Sequence, residues 1–83
     1  MTDWNQEAKA ILRAELARKN IGYKRLSQLL EQIGVEETPS AITNKMHRGS
    51  FSFAFYLQCM KAIGLSRVDI DLVKINVLER DGL

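Results

Sequence analysis

The chain has 83 residues, of which 46% are hydrophobic, and a formal net charge of +2 at pH 7. This length suits one small domain with a single core, and the apolar fraction argues against a disordered protein. The single cysteine, Cys59, cannot form an internal disulfide, and with one histidine it falls short of a metal site, so we expect neither a metal nor a cofactor. No run approaches the roughly 18 apolar residues of a membrane span, and the first residues lack a secretory pattern. These features predict a soluble cytoplasmic protein without membrane contact.

Four stretches repeat apolar residues at helical spacing, and each is bounded by start and stop signals. Asp3, Thr38 and either Ser50 or Ser52 suit the N-cap position, and Pro39 suits the first position of a helix. The predicted helices cover about residues 4 to 19, 23 to 33, 38 to 48 and 53 to 63. The residues expected to face the core are Trp4, Ala8, Ile11, Leu12 and Leu16 in the first helix, Leu26, Leu29, Leu30 and Ile33 in the second, Ala41, Ile42 and Met46 in the third, and Phe53, Leu57, Met60 and Ile63 in the fourth.

The C-terminal segment has a different pattern, which divides the chain into a helical domain at 1–65 and an extension at 66–83. Val68, Ile70 and Leu72 alternate with acidic residues, which favours a β-strand over a short helix. A lone strand needs a partner, so the pattern predicts pairing with the same strand of a second subunit. Phe55 is an aromatic that is either an ordinary core residue or one covered by this extension or a second subunit. The predicted interface of a homodimer is therefore Phe55, Val68, Ile70 and Leu72.

Basic residues concentrate in the middle of the chain. Residues 9 to 61 contain nine Lys or Arg and four acids, a balance of +5, whereas both flanking segments are net acidic. A basic middle is what a surface facing phosphate groups needs, although a lysine-rich solvated surface gives the same count. The cations expected to contact DNA phosphates are Lys24, Arg25, Arg48 and Lys61, with Lys9 and Arg13 as further anchors.

The third predicted helix combines an apolar face with an uncharged polar face. Ser40, Thr43, Asn44 and His47 recur at the spacing of one helix side, opposite the apolar residues. Asparagine pairs with adenine, and hydroxyls adapt to several bases, so we expect base contacts from this stripe and from the neighbouring Lys45. The plain alternative is an ordinary exposed helix, but such a helix more often uses Glu, Lys, Gln and Ala.

Three segments, 21–30, 41–49 and 52–65, resemble the lambda-repressor-like, or XRE-type, family of DNA-binding regulators. The first looks like the opening of that family's helix-turn-helix, the second like its recognition helix, and the third like the helix that follows. The whole chain is similar to short bacterial proteins of this type, in which a Phe-rich FFLQC segment is typical and here reads FYLQC. The resemblance implies a compact all-α, four-helix domain and a transcriptional regulator that binds double-stranded DNA, with base-contacting positions at Ser40, Thr43, Asn44 and Lys45.

One departure from that pattern supports a second hypothesis. Ser27 and Ile42 are fifteen positions apart (42 − 27), where the family's motif has about ten. The extra residues include Glu36 and Glu37, whose charges disfavour phosphates near the start of the third helix. The alternative is a protein–protein interaction module, antitoxin-like or an adaptor, on the same scaffold. An enzyme is not expected, because nothing orients Cys59 as a nucleophile.

Overall fold

The ends of the helices are set by local hydrogen bonds that the sequence encodes. The structure, a computed structural model, describes residues 3–67. Within that range the helices are α1 (Trp4–Arg18), α2 (Tyr23–Gln32), α3 (Pro39–Arg48) and α4 (Phe53–Ala62). The side chains of Asp3, Thr38 and Ser52 accept hydrogen bonds from first-turn backbone N–H groups of α1, α3 and α4. These caps satisfy N–H groups that have no partner inside the helix, and they confirm three predicted helix starts.

Helices α1, α2 and α4 end with the same motif, in which one residue adopts a left-handed conformation. These residues are Asn20 (φ 58°), Gly34 (φ 84°) and Gly64 (φ 83°). The N–H of the next residue then bonds back to a carbonyl of the last helical turn, at 2.8 to 3.0 Å. In each case this next residue is apolar and packs against the core; the three are Ile21, Val35 and Leu65. The motif therefore turns the chain and adds one apolar contact per helix.

The four helices enclose one core, with α2 packed against both α3 and α4. Its buried members are Leu12, Leu16, Leu26, Leu30, Ile42, Met46, Phe55, Tyr56, Cys59, Met60 and Ile63. The expected all-α, four-helix class is confirmed, and residues 3–67 contain no strand. The predicted C-terminal strand, with Val68, Ile70 and Leu72, lies outside the described residues. None of the helices in that range is long and apolar enough to cross a lipid bilayer.

The predicted inward face of α4 is wrong in its first half. Phe53 and Leu57 are 72% and 49% exposed, whereas Phe55 is 3% exposed and Cys59 is fully buried. Eight of the ten residues of α4 are apolar (FAFYLQCMKA), so periodicity does not indicate which side faces the core. Packing against α2 makes that choice. Trp4, expected to be an inward residue of α1, is likewise 59% exposed.

Candidate nucleic-acid interface

The polar stripe of α3 faces away from the core. Ser40, Thr43, Asn44 and His47 are all exposed, while Ile42 on the opposite side is completely buried. The prediction that these four side chains share an outward face is confirmed. The Thr43 hydroxyl donates to the Pro39 carbonyl oxygen at 2.9 Å, which leaves its methyl group and its oxygen lone pairs available to a ligand.

Lys45, the fifth residue predicted to contact a base, points elsewhere. Its Nζ lies 2.7 Å from Oε2 of Glu37 and 4.9 Å from the ring centroid of Phe55. Both members of the ion pair are largely screened from water, with 27% of the Lys45 side chain and 16% of the Glu37 side chain exposed. Lys45 thus joins α3 to α4 and to the preceding loop, and these contacts engage its ammonium group within the fold; its predicted base contact stays a prediction. The partners are eight residues apart, a separation that carries no helical or strand signal.

Glu37 also fixes the enlarged connection between α2 and α3. The Ser27 hydroxyl donates to the backbone carbonyl of Glu37 at 2.5 Å, which ties residues 33–38 to the side of α2. The ion pair with Lys45 compensates the negative charge of the Glu37 carboxylate. Glu31 and Glu36 are exposed and line an open groove of about 550 Å³ at this connection. One flank of α3 is therefore acidic.

The other flank of α3 is basic. A pocket of about 230 Å³ lies where α1 meets the start of α2 and the outward side of α3. Its lining consists of Lys9, Arg13, Tyr23, Thr43, Met46 and His47. Two members of the predicted reading stripe, Thr43 and His47, thus border two of the predicted phosphate anchors, Lys9 and Arg13. Tyr23 was not predicted to belong to this site, because a tyrosine at a helix start has no pattern that distinguishes it from a core residue.

The remaining predicted phosphate contacts are dispersed over the surface. Lys24 and Arg25 are exposed in the first turn of α2, where an Arg25 guanidinium N–H donates to the Gln28 side chain at 3.2 Å. Arg48 closes α3 and donates to the Ser50 carbonyl oxygen at 3.3 Å. Lys61 is exposed in the last turn of α4 and lines neither flank of α3.

Phe55 is an internal residue, 3% exposed, which agrees with the core alternative; its predicted place at a dimer interface stays a prediction. Its ring is packed edge-on against Phe51, with the centroids 5.5 Å apart, and Lys45 covers it from α3. The exposed aromatic is instead Phe53, which borders an open groove of about 490 Å³ between α1 and α4. Apolar side chains dominate this groove, which is lined by Ala8, Ile11, Phe51, Ser52, Phe53, Tyr56 and Leu57.

Two buried groups beneath these surfaces are held in their neutral forms. Burial raises the pKa of the Cys59 thiol to about 12, and the negative charge of Glu37 acts in the same direction. Burial, with a further contribution from Glu15, also raises the pKa of Tyr56. The Tyr56 hydroxyl is buried, and no hydrogen-bond partner reaches it from residues 3–67. A protonated, inaccessible thiol is a poor nucleophile.

The fold and the site together define a small all-α domain of four helices with an exposed, uncharged polar helix face. Comparison with protein families places the chain more narrowly. It belongs to the family described as "Domain of unknown function (DUF6471)", whose pattern matches residues 4–68. Neither the curated proteins nor the solved structures contain a match to the chain.

Proposed function

We propose that this chain is a helix-turn-helix DNA-binding protein, a transcriptional regulator that reads the major groove with α3. The observation that carries the proposal is the outward stripe of α3, where Ser40, Thr43, Asn44 and His47 are exposed together. A major groove admits an α-helix and presents donors, acceptors and thymine methyl groups to it. Short uncharged polar side chains match that surface, whereas Glu and Lys are the usual choice for a helix that only meets solvent.

Three positions of the stripe have a chemically matched partner on a DNA duplex. Asn44 offers both a donor and an acceptor, the arrangement that pairs with N6 and N7 of adenine. The Thr43 methyl group suits a thymine methyl, because the hydroxyl is already turned to the Pro39 carbonyl. Ser40 lies in the first turn of α3, where backbone N–H groups also favour a phosphate.

In the structure, the α2–α3 connection repels DNA phosphates less than its two adjacent acids suggest. Of its two adjacent acids, Glu37 is paired with Lys45 inside the fold, so only Glu36 presents an unpaired carboxylate there among residues 3–67. On the opposite flank, Lys9 and Arg13 border the stripe. A duplex lying against α3 meets attractive charge on the α1 side and, through Glu31 and Glu36, repulsive charge on the other.

Assignment of α2 and α3 as the helix-turn-helix rests on their packing and on the XRE-type resemblance. The two helices contact each other closely, and α2 opens with exposed Lys24 and Arg25, as the backbone-contacting helix of such a motif does. Residues 33–38 form a longer connection than the usual three or four residues. The proposal includes a homodimer on half-sites about one helical turn apart, with the pairing strand expected beyond the described residues.

A selection from randomised duplexes tests the proposal, with Asn44→Ala beside a control that makes the same chemical change. Asn5→Ala is that control, because Asn5 is exposed in α1 far along the chain from the stripe. The wild type and Asn5→Ala should select one sequence. Asn44→Ala should lose about 1–3 kcal/mol of discrimination at one base pair. Absence of any selected sequence, or equal behaviour of the two variants, contradicts the proposal.

A second candidate is the protein-interaction module, antitoxin-like or an adaptor, and one observation favours it. The groove between α1 and α4 is bordered by exposed Phe53 and Leu57, apolar side chains that a protein partner would remove from water. Under this alternative, DNA binding is weak and indifferent to sequence, and Phe53→Ser abolishes partner binding without changing DNA affinity. Sequence selection that survives Phe53→Ser and fails in Asn44→Ala favours the DNA-binding function.

A further inference from the structure

The basic pocket between α1 and α3 concentrates hydrogen-bond donors in a small concave space. Lys9 provides three N–H donors, Arg13 five, and Tyr23 a phenolic hydroxyl. His47 contributes at least one ring N–H donor. The pocket has a volume of about 230 Å³, which accommodates a tetrahedral oxyanion with some water, but not a large organic ligand.

No carboxylate within residues 3–67 forms an ion pair with either of these cations. The ion pairs in that range join Arg18 to Glu15 and Lys45 to Glu37, and neither Lys9 nor Arg13 takes part in one. Lys9 is half-buried, and its Nζ lies 3.9 Å from the position that a Cβ on Gly49 would occupy, at the C-terminal end of α3. Two cations that have no ion-pair partner among residues 3–67 thus line the same pocket.

The start of α2 adds to the same positive field. Tyr23 is the first residue of α2, and its N-cap is Gly22, which has no side chain to accept from the first-turn N–H groups. The positive end of this ten-residue helix therefore remains without a side-chain cap next to the pocket. The acids that border α3, Glu31 and Glu36, lie in the other groove.

We propose that this pocket is a seat for a phosphate group, bound by Lys9 and Arg13 from α1 and by Tyr23 and His47 from α2 and α3. Two sources supply this chemistry: a backbone phosphate of duplex DNA, or a free phosphate or phosphomonoester. With a backbone phosphate the inference rests on the proposed function and deepens it, because the seat then fixes how the domain docks. The α1 side of α3 lies against the sugar-phosphate backbone, and the acidic groove is turned away from it.

The test compares two doubly substituted chains with the same loss of charge. Lys9→Gln with Arg13→Gln removes the seat, and Lys19→Gln with Arg67→Gln removes two exposed cations that do not line the pocket. Far-UV circular dichroism checks that both fold. Each full-length protein is titrated with inorganic phosphate while the backbone amide signals of Thr43 and His47 are followed by NMR. Affinity for a short duplex is then measured across a range of salt concentrations.

With wild type and the Lys19/Arg67 variant, we expect amide shifts that saturate as phosphate is added. With the Lys9/Arg13 variant, we expect the affinity for phosphate to fall by about tenfold or more. If the slope of log affinity against log salt also falls by about one to two in the Lys9/Arg13 variant alone, the source is DNA. An unchanged slope, with phosphate binding lost, assigns the seat to a free phosphate or phosphomonoester.

The remaining outcomes separate this inference from the proposed function. If phosphate saturates the pocket but no duplex binds, DNA binding fails and the seat stands. If duplex binds and the two double variants match each other in both titrations, the seat is overturned and the proposed function stands.

Discussion

Replacing Lys45 by methionine removes the ammonium group that joins α3 to the connecting loop and to α4, while retaining a side chain of similar length. The ammonium contacts both the Glu37 carboxylate, at 2.7 Å, and the face of the Phe55 ring. We expect the variant to lose stability and, under the proposed function, to keep its DNA affinity, because the Lys45 ammonium is engaged by Glu37 and Phe55 within the fold.

The magnitude follows from the environment of the pair. Exposed ion pairs contribute about 0–1 kcal/mol, and breaking a fully buried pair costs about 3–5 kcal/mol. With 27% and 16% of the two side chains exposed, this pair lies between those limits, which gives a loss of about 2 kcal/mol in the free energy of unfolding. In a domain of this size that corresponds to a fall in Tm of roughly 8–16 °C.

Urea denaturation and thermal scans measure this loss, and a double-mutant cycle with Glu37→Gln isolates the pairwise part. The double variant should recover about 1 kcal/mol relative to the sum of the single changes, because it leaves no unpaired carboxylate. This reasoning would be refuted by a Lys45→Met variant that is as stable as wild type but whose slope of log DNA affinity against log salt concentration is smaller by about one.

Three further outcomes follow from burial and capping. Since the pKa of the Cys59 thiol is raised from 9.0 to about 12, the contribution of this thiol to the stability of the folded protein is largest below pH 9 and is lost as the pH rises from 9 toward 12. A thiol-labelling assay on the native protein at pH 8 should detect no reaction until denaturant is added. Phe55→Ala should cost about 3–5 kcal/mol of unfolding free energy, whereas Phe53→Ala, at an exposed position, should change it by less than about 0.5 kcal/mol, and equal costs in urea denaturation would contradict the burial pattern. Thr38→Ala should cost about 1 kcal/mol by removing the α3 cap, and Ser40→Ala, its exposed neighbour, serves as the control; a cap variant no less stable than the control would show that the hydrogen bond contributes nothing.

Local chemistry determined much of the fold in advance. The caps at Asp3 and Thr38, and the left-handed stops at Gly34 and Gly64, depend only on residues within one helical turn, so the sequence by itself locates the ends they mark. The outward polar stripe of α3 was also predictable, because apolar and polar residues on that helix fall on opposite sides.

Tertiary structure decided what periodicity left ambiguous. In α4 nearly every side chain is apolar, so only packing against α2 determined that Phe55 is buried and Phe53 exposed. The pairing of Glu37 with Lys45 spans a loop and a helix turn. This pairing depends on the hydrogen bond by which Ser27 holds the loop against α2. The spacing of residues along the sequence does not indicate that these groups meet in space.

The division between the two kinds of information has one physical reason. Hydrogen bonds within a turn and the amphipathic side of a helix are short-range properties, and they determined the four helices and the outward polar stripe of α3 from sequence alone. The position of a side chain relative to another helix depends on the balance of contacts across the whole core. That balance placed Lys45 within the fold and gathered Lys9, Arg13 and Tyr23 around one pocket.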